Sequence, residues 1–277
     1  MSTRQFGSRV QRNIDPRLLT GRGSYTDDIQ LPGALHAAFV RSPFARAHIR
    51  SIDTSEAERA DGVVAVYTCD TIGHLDIELP LLIPHPSMND ARTQRPLARD
   101  DVYYVGQTVA MVVAVDRYVA EDAAMLVDVN YDPLDVELDL ERAIADGAPL
   151  VHPTHPNNIA ADFTQVCGNP EQAFARAEHV TRIRVQVDRS TAAAMECRTV
   201  AARFDDVRGE LTVWDGTQAP LGVRGGLASI FGLDEDKVRV IAPDVGGGFG
   251  QKVLFPYPDE LLVPFAAMQL GRPVKYI

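Results

Sequence analysis

The chain has 277 residues, 45% hydrophobic and 23% charged, with a mean hydropathy of -0.09. That is an ordinary globular composition, long enough for one large domain or two smaller ones. A net charge of -11 with no concentrated Lys/Arg patch disfavours nucleic acid or an anionic membrane as partner. No apolar run approaches the ~20 residues needed to span a bilayer. The first residues lack the apolar core of a secretory signal, so the cytoplasm is the expected compartment.

Residues 1–20 are polar and basic without a clear period and read as an arm lying over another surface. Short β-type runs follow at 34–40 and 63–67. Residues 102–115 form a longer apolar stretch broken at Gly106-Gln107, which predicts two strands or one bent strand. In 118–127, Val119, Ala123, Leu126 and Val127 share one helical face. A strand at 129–131 ends at Asp132-Pro133. A short helix over 139–145 would be capped by Asp139, and the Pro- and His-containing stretch 148–158 reads as a linker.

The second half opens with a helix over 170–178, with Pro170 in its first turn. Residues 181–187 alternate polar Arg182, Arg184 and Gln186 with apolar Ile183, Val185 and Val187, the pattern of a half-buried strand. Strands are predicted at 200–204 and 211–214. Two helices, 221–231 and 260–270, each stop at a glycine, Gly232 and Gly271, and Pro264 is expected to kink the second. Residues 274–277 are a β-type run with no turn or polar tail after it. This predicts an unpaired edge, an incomplete second half and a first half that folds alone. Cys69, Cys167 and Cys197 are too scattered for a metal or iron–sulfur spacing and read as structural thiols. His152 and His155 fall in the linker and are not expected to ligate.

The most informative segment is Asp244-Val245-Gly246-Gly247-Gly248-Phe249-Gly250-Gln251-Lys252, which follows the β-type run 237–243. Four glycines in five positions free φ and let another surface approach the backbone, and consecutive N–H groups can face an anionic or oxo-bearing ligand. A P-loop would need Gly-Lys-Ser/Thr, but the residues here are Gln251-Lys252-Val253. A dinucleotide fingerprint from Gly246 would need glycine at 251, and no acidic residue lies ~20 positions on.

Further motifs occur in a fixed order: Gly21 to Ile29 leading into Leu31 to Ala47, Tyr104-Val105-Gly106-Gln107-Thr108-Val109-Ala110, and Ala194-Met195-Glu196-Cys197-Arg198. Trp214-Asp215-Gly216-Thr217-Gln218-Ala219-Pro220, the glycine loop and Gly271-Arg272-Pro273-Val274-Lys275 complete the set. Together they resemble the N-terminal part of the large, molybdopterin-binding subunit of the xanthine dehydrogenase / aldehyde oxidase / aerobic carbon monoxide dehydrogenase family, over nearly the whole chain. The resemblance implies an α+β fold: an arm (1–20), an α/β hammerhead domain (21–138), a linker (139–158) and the first part of a molybdenum-cofactor-binding domain (159–277).

It also implies a molybdenum–molybdopterin cofactor, in its cytosine dinucleotide form if the source is bacterial. The reaction implied is hydroxylation of a carbon with oxygen from water. Electrons would pass to an iron–sulfur small subunit and an FAD-binding medium subunit, and the C-terminal remainder of the large subunit would complete the site. Gln218 matches the glutamine whose amide faces an oxygen on the molybdenum. Gly247, Gly248, Phe249 and Gly250 match the loop packed on the cofactor, with Phe249 as a wall of the substrate pocket. None of these residues is expected to ligate the metal directly. Glu196 reads as scaffolding, with Arg198 as its possible partner, and Arg22, Asp27, Asp28 and Arg41 as charges that order loops. Val253 stands where purine-oxidising members carry a glutamate, which points to an aldehyde or heterocycle rather than xanthine. The family's catalytic glutamate is expected beyond Ile277, so the isolated chain is expected to be inactive. The alternative reading is a non-catalytic assembly or interaction module.

Overall fold

Strand β10 (Val274–Tyr276) lies in the middle of the main sheet, and its position decides the architecture. The structure, a computed structural model, describes residues 7–81, 83–89, 93–188, 190–253 and 257–277. After helix α1 (Asp15–Leu19) come β1 (Leu35–Arg41), β2 (Ala47–Asp53), α2 (Ser55–Arg59) and β3 (Val63–Tyr67). Then follow β4 (Asp101–Val102), β5 (Thr108–Ala114), α3 (Arg117–Ala124), β6 (Asp128–Pro133) and α4 (Leu140–Ala143). The second half has α5 (Pro170–Arg176), β7 (Val200–Asp205), β8 (Glu210–Asp215), α6 (Pro220–Phe231), β9 (Val238–Ile241) and α7 (Pro258–Leu270) before β10. The result is an α+β fold.

Seven strands form one sheet in the order β3-β5-β1-β10-β7-β8-β9, and β4-β2-β6 form a second. Strand β10 runs parallel to β1, with Leu35 opposite Val274, and antiparallel to β7, with Val274 opposite Ala202. The expectation of an open terminal edge is therefore corrected. The run 274–277 reads as an edge because nothing local to it is its partner. Its ladder comes from residues more than 70 and more than 230 positions away in sequence, roughly, and such pairings leave no local signal.

The main core lies along this sheet and joins residues from both halves, including Leu35, Met111, Val113, Val200, Val213, Leu227, Leu261 and Leu262. All seven residues of β5 are buried, as expected of a central strand covered on both faces. Helix α7 is buried from Pro258 to Ala267, which explains why its apolar residues show no single face. Pro264 sits within it. Gly232 and Gly271 take φ of 65° and 60° and stop α6 and α7 in the left-handed conformation.

Several local expectations hold. Asp139 caps α4 by accepting from the N–H groups of Glu141 and Arg142. The break at Gly106-Gln107 separates β4 from β5, which lie in different sheets. On α3, Ala120 and Ala123 are buried, whereas Leu126 lies beyond the helix and is exposed. Two expectations fail. Residues 181–187 form no strand, and Ile183, Val185 and Val187 are 79%, 70% and 83% exposed: alternation supplies the pattern, but no neighbouring strand supplies the hydrogen bonds. Strand β2 was not anticipated, because its His48, Arg50 and Ser51 hide a β-pattern that β6 satisfies by pairing. Of the thiols, Cys69 is buried, and burial raises its pKa, while Cys167 and Cys197 are exposed. Among the described residues no helix is long and apolar enough to cross a membrane.

Limited proteolysis is expected to cut first within residues 160–198, where almost every side chain is exposed. The pieces should still elute together on size exclusion, because β10 is clasped between β1 and β7. Separation of the two halves after the first cut would contradict this arrangement.

Candidate functional site

The glycine loop and Gln218 meet at one rim of the second half. Strand β8 ends at Asp215, and residues 216–219 turn into α6. The Thr217 hydroxyl donates to the Lys252 carbonyl at 3.0 Å and accepts from the Ala219 N–H at 3.1 Å. The Gln218 N–H donates to the same Lys252 carbonyl at 2.7 Å. In return, the Gly250 N–H reaches Gln218 Oε1 at 3.1 Å and the Lys252 N–H reaches it at 3.4 Å. The exposed Gln218 side chain has its oxygen held by two backbone donors, and the NH₂ of the same amide remains a donor group.

The glycines divide into two kinds. A Cβ on Gly248 would collide with the Gln218 side chain, and one on Gly246 with Glu196 Cβ. These two therefore admit the chain's own side chains. Gly250, at φ +89°, has open space where a Cβ would be. Gly247, at φ +107°, faces Ala194 and the Phe249 ring. Between them Phe249 holds φ 51°, the one positive φ outside glycine among the described residues, and its side chain is 74% exposed. Val253 is partly exposed at 38%.

Beneath the rim lies a dense set of buried charges. Glu196 pairs with Lys252 at 2.8 Å, the two side chains only 12% and 3% exposed. The partner expected for Glu196 was Arg198, and the structure corrects this. Arg198 instead grips Asp259 through Nε at 2.9 and 3.0 Å and Glu260 at 3.0 Å, and it stacks 3.7 Å from the Tyr257 ring. Burial, followed by the neighbouring Glu260 and Asp259, raises the Asp215 pKa well above the usual carboxylate range. Its Oδ2, together with Thr199 Oγ1 and Glu196 Oε1, is buried without a hydrogen-bond partner. Asp27 and Arg41 are engaged elsewhere, Asp27 with Lys275 and Arg41 with Gly106 and Tyr276, while Arg22 bonds Thr20 and its carbonyl accepts from Arg17. Asp28 caps its own turn at Tyr25. Among the described residues no group of three or more His, Cys, Asp or Glu side chains is placed to hold a metal ion.

The N-terminal arm reaches this region. Arg17 on α1 donates twice to the Asp244 carboxylate, which also accepts from the Ser24 N–H at 2.8 Å. The sequence reading missed both Arg17 and Lys252. A lysine closing a run of glycines was the available signal for Lys252, since a buried ammonium needs a carboxylate.

Two opposite pH responses follow. Asp244 is held down to about 2, first by Arg17 and then by the Ser24 N–H. A depressed carboxyl stabilises the fold above its unfolded pKa, near 4, and that contribution disappears as pH falls through about 2. Arg17→Ala should therefore flatten the acid limb of stability measured by urea unfolding between those values. Burial pushes Glu260 up to about 7, and Asp259 pushes it the same way against Arg198. A raised carboxyl contributes fully below about 4.5 and loses that contribution as pH rises through about 7. Glu260→Gln should reduce the loss of stability between pH 5 and 8, and an unchanged slope would contradict the assignment.

A model of the molybdopterin cofactor-binding domain matches residues 151–277. A model of the aldehyde oxidase and xanthine dehydrogenase a/b hammerhead domain matches residues 20–135. The large subunit of nicotine 6-hydroxylase from Paenarthrobacter nicotinovorans is 41% identical over 98% of this chain and 33% of its own length. The carbon monoxide dehydrogenase large chain of Afipia carboxidovorans is 38% identical, over 98% of this chain and 34% of its own. The crystal structure of quinoline 2-oxidoreductase from Pseudomonas putida 86 superposes with a TM-score of 0.85 at 36% identity, covering 98% of this chain and 34% of that one. The chain thus spans about a third of the length of these relatives. With both domains matched in order and the fold shared across both, the chain belongs to the molybdopterin-binding large-subunit family of the xanthine dehydrogenases, aldehyde oxidases and aerobic carbon monoxide dehydrogenases.

Proposed function

We propose that this chain supplies part of the molybdopterin site of a molybdenum hydroxylase. The observation that carries the reading is the Gln218 amide. Its oxygen is occupied by the N–H groups of Gly250 and Lys252, so its nitrogen is left as a donor at the rim of a glycine loop. The residues fit the group: a neutral donor can meet an oxygen on a metal without adding charge, and Gly250 leaves open space next to it. Gln218, Gly247, Gly248, Phe249 and Gly250 would hold the cofactor. When bound, molybdenum supplies the two-electron oxidation that hydroxylates a substrate carbon with oxygen from water.

The chain's own residues orient and exclude. Gln218 donates a hydrogen bond from Nε2, and Phe249 presents an exposed ring that limits the approach of water to a bound substrate. Val253 adds an aliphatic surface that cannot pair with the N–H groups of a purine, which favours an aldehyde or a small aromatic heterocycle. The catalytic base, the rest of the cofactor site, and iron–sulfur and FAD subunits that take the electrons would come from outside these residues.

The test is elemental analysis and turnover of the complete enzyme that contains this chain. Molybdenum should be present near one per large subunit, and Gln218→Ala should lower kcat about 10- to 100-fold, as loss of a supporting hydrogen bond at a metal does. A preparation active without molybdenum would refute the reading.

A further inference from the structure

Glu196 and Lys252 are buried, with side chains 12% and 3% exposed, and their bonds lead through the glycine loop to Gln218. A single oxygen, Glu196 Oε2, accepts from the Gly246 N–H at 2.8 Å and from Lys252 Nζ at 2.8 Å. The Glu196 N–H donates to the Gly246 carbonyl at 3.1 Å, and the Glu196 carbonyl accepts from Lys252 Nζ at 3.0 Å. One residue thus grips the loop at its first glycine and at its closing lysine. The Lys252 backbone in turn holds Gln218 on both sides, accepting from its N–H at 2.7 Å and donating to Oε1 at 3.4 Å.

The packing has the same logic. Gly246 must lack a side chain because Glu196 Cβ occupies that space, and Gly248 because Gln218 does. The loop is therefore pressed against both residues at once, so that a shift at Glu196 acts on the same loop that holds Gln218. A buried ion pair is weak evidence for stability, since well-packed apolar residues of equal volume hold a fold as well or better. Glu196, with four directed bonds to Gly246 and Lys252, does something apolar residues cannot: it selects one loop geometry.

We propose that Glu196 and Lys252 are positioning residues whose buried ion pair sets the glycine loop against Gln218 and so fixes the direction of the Gln218 amide nitrogen. This deepens the functional reading above and rests on it for its consequence in catalysis, while the strut itself is a property of the chain alone.

Two variants test it, Lys252→Met and the double substitution Glu196→Gln with Lys252→Met, the second leaving no unpaired charge. In the full chain without cofactor, hydrogen exchange over residues 246–252 should accelerate at least about tenfold, while α7 and β5 keep their protection. In the complete enzyme, molybdenum content should stay at the wild-type level while the Mo(V) electron paramagnetic resonance line shape changes. There kcat should fall about tenfold or more with KM within about twofold, as expected when a supporting contact is misdirected rather than lost. Unchanged exchange in the loop would overturn the proposal. So would protection lost evenly across the sheet and α7, or failure of both variants to fold, since the pair would then serve the fold as a whole. If the wild-type enzyme holds no molybdenum, the functional reading fails, and the exchange result still decides the strut.

Discussion

Three residues of β10 hold the two halves of this chain in one sheet. Without Val274, Lys275 and Tyr276, β1 and β7 would each expose a row of unpaired backbone groups, and the seven-stranded sheet would divide. The side chains reinforce the join. Val274 is fully buried in the main core, and the Phe39 and Tyr276 rings meet edge to face at 4.9 Å. Lys275, only 6% exposed, pairs with Asp27 at 3.1 Å and so ties the strand to the turn that precedes β1. Because α7 packs on β7 and leads directly into β10, the same join fixes the helix whose first turn carries Asp259 and Glu260.

Those two carboxylates meet Arg198, and the burial of the whole group changes what each charge can do. In a low-dielectric setting an unpaired charge is strongly unfavourable. Arg198 is therefore shared between Asp259 and Glu260 and stacked on Tyr257, while Asp215, next to the same carboxylates, is driven toward its neutral form. Lys252 and Glu196 form a separate pair one step closer to the rim. The rim is thus supported by two buried ionic clusters, one joining it to α7 and the other joining the loop to Glu196 in the segment that leads into β7.

Much of this was legible in the sequence, for identifiable reasons. Gly232 and Gly271 terminate their helices because left-handed φ favours glycine, and the Asp139 cap works through a hydrogen bond made within three residues. The four-glycine loop after a strand was legible as a place of close approach, because such contact needs missing side chains, and Glu196 and Gln218 do press against Gly246 and Gly248. What stayed hidden depends on distant partners. The segment 181–187 has strand periodicity and no ladder, whereas 274–276 has a ladder that no local pattern announces. Pairing Glu196 with Arg198 assumed that sequence neighbours meet. They do not, because the chain bends at Met195-Glu196, Arg198 turns to Asp259 and Glu260, and Lys252 arrives from the loop 56 residues on. Arg17 and Asp244 were equally invisible, being 227 positions apart.

The backbone at Phe249 shows what the support beneath the rim achieves. A left-handed φ of 51° is unfavourable for an aromatic residue by roughly 1–2 kcal/mol, so the loop would relax if left alone. It is held from both ends, by the Glu196 bonds at Gly246 and by the Gln218 bonds at Gly250 and Lys252. The positive φ of Gly247 and Gly250 on either side lets the chain reverse twice around one large residue. The consequence is an exposed ring where an ordinary turn would bury it or replace it with a small polar side chain. Strain at one residue is thus sustained by anchors on both sides, and those anchors keep the Phe249 ring exposed beside the Gln218 amide.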